Sequence, residues 1–305
     1  MREVPPWSRT DRSRGTGRER ASDPVPTVRG DDASPLPRRQ VIVALVGSTL
    51  AGCTTERSTE DRPEPRVIGH RGCAAENPEN TVPAVEAASE DADAVEVDVR
   101  RCAGGEPIVF HDETLDRLTD RSGRVADADC DGLARTEVLE SGETVPTLRE
   151  VFDAVPTDTP VVLDLKETGL AREVLATVEE YRHDVLVSSF LPAVLEEVRS
   201  IDRGVPTAYI VRESRRNRHL RRFVPGIPGP PYWPENVGGM LETAVGLGCT
   251  AIHPRYELCL GTDLVDRAHD AGLRVEAWTV TTREEVDALT AAGVDSVISD
   301  VCREL

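Results

Sequence analysis

The sequence AVEVDV at residues 94–99 decides how this chain can fold. Side chains alternate between the two faces of a β-strand, so the three valines share one face while Glu96 and Asp98 share the other. A second stretch repeats the pattern and places Asp164 and Lys166 on its polar face. An exposed edge strand would explain one segment with a charged face. Two such segments favour a closed parallel sheet, in which the charged side chains point into the interior.

Three carboxylates converge in that arrangement, and they need compensation because burying like charges is costly. A divalent cation with oxygen ligands removes the conflict, so we predict a metal site formed by Glu96, Asp98 and Asp164. Lys166 is the only lysine among 36 basic residues. Its compact charge suits either a phosphate oxygen or the neutralisation of these carboxylates.

The charge balance limits the classes of partner. The 305 residues include 36 basic and 55 acidic side chains, a formal net charge of −19. This argues against a general nucleic-acid-binding protein, because such proteins need positive charge against phosphates. The composition resembles that of acidic, lysine-poor proteins from salt-loving prokaryotes.

The chain divides into an N-terminal region and one domain. Residues 1–36 lack hydrophobic periodicity and are rich in Arg, Asp, Pro, Ser and Gly, so we predict a disordered extension. Residues 54–65 are polar and indicate a tether. Residues 66–305 match the length of one barrel domain, which takes about 250 residues.

Residues 37–53 are typical of an export signal. Arg38 and Arg39 precede an apolar run of about 12 residues, which is shorter than the roughly 20 needed to span a bilayer as a helix. The two arginines resemble a twin-arginine signal, and the sequence LAGC at 50–53 resembles a lipoprotein lipobox. We therefore expect an exported protein that a lipid on Cys53 anchors to the outer face of the membrane; an uncleaved apolar anchor is the alternative.

Six further cysteines follow Cys53, and an exported protein can pair them in many ways. None has the spacing of a zinc site, so we expect structural cysteines that are buried or partly paired. They are Cys73, Cys102, Cys130, Cys249, Cys259 and Cys302.

From Arg66 onward, short apolar runs alternate with helical patterns. This alternation predicts a parallel sheet, and eight strands in about 240 residues favour a (β/α)8 TIM barrel over an open doubly wound sheet. Two helices begin with capping-box sequences, at Thr147 and at Thr282. The predicted strands are 67–69, 94–99, 161–165, 185–188, 207–211, 250–253, 274–279 and 296–299.

In such a barrel the active site lies at the C-terminal ends of the strands. His70 and Arg71 follow the first predicted strand, and His111 follows a short extended piece after the second. Two histidines beside a cation fit phosphodiester cleavage, in which one takes a proton from the attacking oxygen and the other donates one to the leaving oxygen. Arg71 and Lys166 suit the non-bridging phosphate oxygens.

An ordered series of short motifs resembles the glycerophosphodiester phosphodiesterase family. The motifs are His70-Arg71-Gly72, Glu79-Asn80-Thr81, Glu96-Val97-Asp98-Val99, His111-Asp112, Leu118-Thr119, Pro146-Thr147-Leu148, Asp164-Leu165-Lys166, Ser189-Phe190, Trp278-Thr279-Val280, Gly293-Val294-Asp295 and Ser299-Asp300. The resemblance implies a TIM barrel that hydrolyses glycerophosphodiesters to glycerol 3-phosphate and an alcohol, usually with Mg²⁺ or Ca²⁺.

The resemblance also implies roles for individual residues. His70 and His111 would be the acid–base pair, and Glu96 and Asp98 would bind the metal. The family usually takes its third carboxylate from a glutamate, where this chain has Asp164, which is one methylene shorter.

The remaining family positions concern the substrate. Arg71 and Lys166 fall on phosphate-binding positions, and Trp278 falls where the family places an aromatic wall beside the glycerol. A tryptophan in the core is the alternative for Trp278. The family mechanism passes through a cyclic phosphate, and the order in which the histidines act stays open.

Two other functions stay open. An anchored barrel would lie close to a membrane, which suits phospholipase D-like hydrolysis of lysophospholipids or sphingolipids. A non-catalytic surface lipoprotein that binds phosphodiesters is the other, although loss of a histidine or carboxylate would then be expected. The arginine-rich loop at 212–236 either binds anionic headgroups or is simply solvated.

Overall fold

The fold is a closed parallel barrel, seen in a computed structural model that describes residues 62–212, 214 and 235–305. The strands are β1 (Arg66–Gly69), β2 (Ala94–Arg101), β3 (Pro107–Val109), β4 (Val161–Leu165), β5 (Val185–Ser189), β6 (Thr207–Val211), β7 (Ala251–Pro254), β8 (Arg274–Val280) and β9 (Ser296–Ser299). The helices are α1 (Val82–Asp91), α2 (Cys130–Leu133), α3 (Leu148–Ala154), α4 (Ala171–Glu180), α5 (Pro192–Ile201), α6 (Val237–Gly246), α7 (Tyr256–Gly261), α8 (Leu264–Asp270) and α9 (Arg283–Ala292).

Eight of the strands close into a ring. Hydrogen bonding runs in the order β1, β9, β8, β7, β6, β5, β4 and β2, and β1 also pairs with β2. Every pair in the ring is parallel, whereas β3 is antiparallel to the end of β2. The predicted (β/α)8 TIM barrel is therefore confirmed. The second strand runs on to Arg101 because its last residues pair with β3.

The two faces of β2 have different neighbours, as the alternation predicts. Val95, Val97 and Val99 lie on the outer face, in one buried core with side chains of the surrounding helices. Burying a valine contributes about 1.5–3 kcal/mol, so this face holds the helices against the ring. The inner face points into the barrel, where an apolar layer fills the lower part. The fully packed members of that layer are Ile68, Ala94, Val162, Leu186, Ala208, Ala251 and Ile298.

Both capping boxes are confirmed at the helix N-termini. At α3, the Glu150 backbone N–H donates to the Thr147 side chain, and the Glu150 carboxylate accepts from the Thr147 backbone. At α9, Thr282 and Glu285 make the same reciprocal pair. Each capping side chain contributes about 1 kcal/mol, which helps to fix where these helices start.

A segment inserted between β3 and α3 has its own small apolar core. It includes α2 and a turn of 3₁₀-helix at Val125–Asp127. Because β3 pairs with the end of β2, the segment starts beside the strand that carries the acidic pair. The start of the insertion therefore places His111 at the barrel mouth. The buried side chains of the insertion include Phe110, Leu115, Leu118, Val125, Leu133, Val138 and Val145.

Two disulfides fasten these parts together. Cys73–Cys302 joins the turn after β1 to the segment after β9, and Cys102–Cys130 joins the end of β2 to α2. Cys249 and Cys259 are buried and form no disulfide with another cysteine of the described part of the chain. The expectation of cysteines that are buried or partly paired is confirmed.

Several sequence predictions fall outside the described residues. These are the disordered extension, the export signal with Cys53 and most of the loop at 212–236. Residues 62–65, the described end of the tether, have no regular secondary structure. Within the described part of the chain, each helix is too short or too polar to cross a membrane.

We expect loss of the Cys73–Cys302 disulfide to destabilise the barrel more than loss of Cys102–Cys130. The paired cysteines are 229 residues apart in the first case and 28 in the second. If the chain-entropy model holds, the free energy of unfolding falls by about 5 kcal/mol for the long loop and about 3.5 kcal/mol for the short one. Urea unfolding of the two double Cys→Ser variants measures both, and a larger loss for the short loop would contradict the expectation.

Candidate active site

The turn after β1 carries His70 and Arg71 over the mouth of the barrel. Arg71 has φ +52° and Gly72 has φ +76°, both in the left-handed region. Only glycine fits the second position, because a Cβ there would lie 2.7 Å from the backbone carbon of Ala84. The left-handed conformation costs Arg71 roughly 1 kcal/mol. Its backbone N–H donates to Glu96 Oε2 at 2.9 Å, which helps to offset that cost.

Three buried carboxylates lie beside this turn. Glu96 and Asp98 come from β2 and Asp164 from β4, where Asp98 and Asp164 are register partners. Each offers one oxygen, and these oxygens lie within 4.8 Å of one another. The shorter Asp164 side chain therefore still reaches the other two. Its Oδ1 atom is buried and accepts no hydrogen bond from any described residue, and such an all-oxygen set fits Mg²⁺ or Ca²⁺.

Two side-chain cations compensate the carboxylates. Lys166 Nζ lies 2.6 Å from Asp98 Oδ1 and also forms an ion pair with Asp164, while Arg71 Nε lies 3.1 Å from Asp98 Oδ2. Burial opposes ionisation of Asp98, but Lys166 and Arg71 outweigh it and hold the pKa of Asp98 well below its usual range. Neither cation forms an ion pair with the third carboxylate, Glu96, which accepts a hydrogen bond from the Arg71 backbone. Burial and the charge of Asp98 raise the pKa of Glu96 to about 7.

Each predicted catalytic histidine contacts an aspartate through Nδ1. The distance is 2.5 Å from His70 to Asp300 Oδ1 and 2.5 Å from His111 to Asp112 Oδ1. When Nδ1 carries the proton in such a contact, the neutral ring has its lone pair on Nε2. This arrangement leaves both Nε2 atoms available for proton transfer.

Both histidines lie beside the carboxylate cluster. His70 Nε2 lies 4.0 Å from Glu96 Oε2. The backbone N–H of Phe110 donates to the carbonyl of Asp98 at 2.9 Å, so His111 follows directly after a residue that is tied to the cluster. The two predicted catalytic residues therefore come to the same mouth from different segments.

The two rings differ in electrostatic surroundings. Burial acts to lower the pKa of both imidazoles. At His70, the hydrogen bond to Asp300 and the charge of Glu96 outweigh burial, and the pKa is raised. At His111, burial and the positive charge of Lys166 act together, and the pKa is lowered.

Trp278 is partly buried and packs against the apolar layer that fills the barrel, so a role in the core stays open beside the predicted one. Its Nε1 atom donates to the carbonyl of His253 at 2.9 Å, which fixes the ring. The ring of Phe190 meets it edge-on with centroids 5.5 Å apart. These side chains come from the ends of β8 and β5 and form an aromatic pair; the wall beside the glycerol stays a prediction.

Three residues that support the site had no role assigned from sequence. The Asn80 side chain donates to Asp98 Oδ2 at 2.8 Å and accepts from the Asp98 backbone N–H at 3.1 Å. Glu79 accepts from Arg71 Nη1 at 2.9 Å, and Asp300 holds His70. All three lie inside the family motifs, which was the available signal, but their partners became visible only in the folded chain.

The mouth thus combines two oriented histidines, two fixed cations and a set of carboxylate oxygens. Histidines transfer protons to and from oxygen at neutral pH, and the cations match phosphate oxygens. In a parallel barrel this set lies at the end where active sites occur. Fold and site therefore define a TIM-barrel hydrolase that acts on phosphate diesters.

Comparison with known proteins identifies the family. Residues 70–304 match the model of the glycerophosphoryl diester phosphodiesterase family. The chain belongs to this family and is an enzyme of the glycerophosphodiester phosphodiesterase class.

Individual relatives agree with this placement. The chain is 28% identical over 249 residues to a glycerophosphodiester phosphodiesterase of Caldanaerobacter subterraneus, covering 77% of this chain and 93% of that protein. A phosphodiesterase of Oleispira antarctica, solved with its product sn-glycerol-3-phosphate, has a similar fold (TM-score 0.66, 24% identity, 79% of this chain and 94% of that one). The glycerophosphodiester phosphodiesterase of Thermotoga maritima gives a TM-score of 0.62 at 26% identity, with 79% and 96% covered.

We expect Asp164→Asn to weaken binding of Mg²⁺ or Ca²⁺. Loss of a partner outside the ligand shell typically costs 10–100-fold in affinity, so loss of a ligand charge should cost at least about 100-fold. Asp164→Glu should retain binding, because it keeps the charge. Calorimetric titration with each cation measures the affinities, and Asp153→Asn on the exposed face of α3 is the matched control. Unchanged affinity in Asp164→Asn would remove Asp164 from the ligand set.

Proposed function

We propose that the protein hydrolyses glycerophosphodiesters to glycerol 3-phosphate and an alcohol, with a divalent cation and with His70 and His111 as the acid–base pair. The observation that carries this proposal is the fixing of both rings through Nδ1, beside one cluster of carboxylates. The sn-glycerol-3-phosphate held by the Oleispira antarctica relative supports the proposed product.

The charged residues divide into two sets. Glu96, Asp98 and Asp164 hold the cation, Mg²⁺ or Ca²⁺, which when bound supplies positive charge that polarises the phosphodiester. Arg71 and Lys166 bind the non-bridging phosphate oxygens. Arg71 presents a planar fork and Lys166 a compact point charge, so the two can bind different oxygens.

The reaction runs in two steps. The glycerol hydroxyl next to the phosphate attacks phosphorus while one histidine takes its proton. The other histidine donates a proton to the alcohol oxygen as its bond to phosphorus breaks, which leaves a cyclic phosphate. The histidines then exchange roles, and water opens the ring to glycerol 3-phosphate. Trp278 packs against the glycerol carbons throughout.

We expect the wild-type protein to release glycerol 3-phosphate from soluble glycerophosphodiesters and to stop when a chelator is added. His70→Ala and His111→Ala should each lower kcat at least about 100-fold, because general acid–base groups contribute about 10²–10⁴-fold. His269→Ala is a matched control. His269 also contacts an aspartate, Asp295 at 2.9 Å, but at the N-terminal end of β9, away from the mouth.

The assay quantifies glycerol 3-phosphate at several salt concentrations with Mg²⁺, Ca²⁺ or chelator. Lysophospholipids belong in the substrate panel, and turnover of these alone would favour the phospholipase D-like activity. If either histidine variant keeps a rate within a few fold of wild type, the acid–base assignment is wrong.

We also propose that the chain is exported and anchored through a lipid on Cys53. The arginine pair Arg38-Arg39 and the LAGC sequence at 50–53 support this proposal. The two disulfides of the barrel also support it, because disulfides persist in oxidising compartments outside the cytoplasm.

We expect Cys53→Ser to move active protein from the membrane fraction to the soluble fraction outside the cell. Without the thiol there is no atom for the lipid to be attached to, while the barrel stays intact. Replacing both arginines of the signal (Arg38→Lys with Arg39→Lys) should retain the protein inside the cell. Cell fractionation with an activity assay measures the distribution, and a Cys53→Ser protein that stays in the membrane fraction contradicts the lipid anchor.

A further inference from the structure

Arg117 joins two carboxylates through one planar guanidinium. Its Nε and Nη2 atoms donate to Asp112 at 2.6 and 3.0 Å. Its Nη1 and Nη2 atoms donate to Glu79 at 2.8 and 2.9 Å. Each carboxylate thus receives two hydrogen bonds, which fixes its plane as well as its position.

Each of these carboxylates also contacts a residue of the proposed mechanism. Asp112 Oδ1 lies 2.5 Å from His111 Nδ1, and Glu79 Oε1 accepts from Arg71 Nη1 at 2.9 Å. Contacts therefore run without a break from the His111 ring through Asp112, Arg117 and Glu79 to the Arg71 guanidinium.

We propose that Arg117 is a positioning residue that fixes His111 and Arg71 relative to each other. This proposal rests on the function proposed above for those two residues. With Arg117 removed, Asp112 loses the two hydrogen bonds that keep its carboxylate turned toward the His111 ring. Glu79 likewise loses its two hydrogen bonds from Arg117, which hold its carboxylate in place against the pull of Arg71. Both the acid–base ring and the phosphate-binding fork then lose their orientation.

The same contacts link two segments of the chain. Glu79 lies between β1 and α1, whereas Asp112 and Arg117 lie in the insertion after β3. The guanidinium therefore ties the insertion to the turn that carries Arg71. Its hydrogen bonds to Asp112 lower the pKa of that carboxyl to about 2, so Asp112 stays charged at neutral pH. A lysine has one centre of charge and lacks the fork needed for both two-point contacts.

The first test separates kcat from KM. Arg117→Ala should lower kcat/KM about 10–100-fold, the usual range for residues that orient a catalytic group, with both constants affected. Asp112→Asn should act mainly on kcat and Glu79→Gln mainly on KM. Arg117→Lys should recover only part of the loss, and added guanidinium ion should restore activity to Arg117→Ala, whose site is open to solvent.

Arg124 offers a matched control. It lies in the same insertion and forms an exposed ion pair with Glu113 at 2.8 Å, so Arg124→Ala should keep the wild-type constants. In a protein that already carries Asp112→Asn and Glu79→Gln, Arg117→Ala should add less than about a twofold effect, because the charged two-point contacts of Arg117 are already lost. The proposal is overturned if Arg117→Ala keeps both constants within about twofold of wild type, or if its effect is undiminished in that background.

The second test does not depend on turnover. The ¹⁵N shifts of labelled histidines report which ring nitrogen carries the proton, and His111→Gln assigns the His111 signals. We expect the Nδ1–H tautomer in wild type and in Arg124→Ala, and a mixture of tautomers in Arg117→Ala. An unchanged tautomer in Arg117→Ala overturns the positioning role even in an active enzyme. Absence of turnover in wild type overturns the proposed function alone.

Discussion

The burial of three carboxylates in one barrel mouth is the constraint on which the rest of the site depends. Removing each charge from water costs several kcal/mol, so the surroundings must restore that energy. Lys166 and Arg71 do so with charge, and Asn80 does so with one hydrogen bond donated to Asp98 Oδ2. Neither cation forms an ion pair with Glu96, and the backbone N–H that reaches Glu96 comes from a turn in a costly left-handed conformation.

Local patterns were sufficient to predict the framework. The alternation in AVEVDV determines which side chains of β2 face inward, because successive residues on any strand point to opposite faces. The same alternation predicted that Asp164 and Lys166 also face inward, and the register between β2 and β4 brings them to the cluster. Capping boxes at Thr147 and Thr282 depend on four consecutive residues, so they too could be found in the sequence.

Contacts between distant segments could not be predicted in this way. His70 and Asp300 are 230 residues apart, and they meet only because β1 and β9 become neighbours when the ring closes. Glu79 and Arg117 meet because the insertion has its own core, which fixes the direction in which the segment returns to the mouth. The pairing of Cys73 with Cys302 depends on the same closure, and no spacing in the sequence encodes it.

Terminal strands are normally the first parts of a domain to open, and hydrogen exchange at their backbone amides reports that local opening. In this barrel the first and last strands share one seam, and the Cys73–Cys302 bond closes it covalently. The segment after β9 therefore cannot drift away from the turn after β1, so opening of the seam becomes part of the global unfolding reaction. The backbone segments that carry His70 and Asp300 then stay together for as long as the barrel as a whole stays folded.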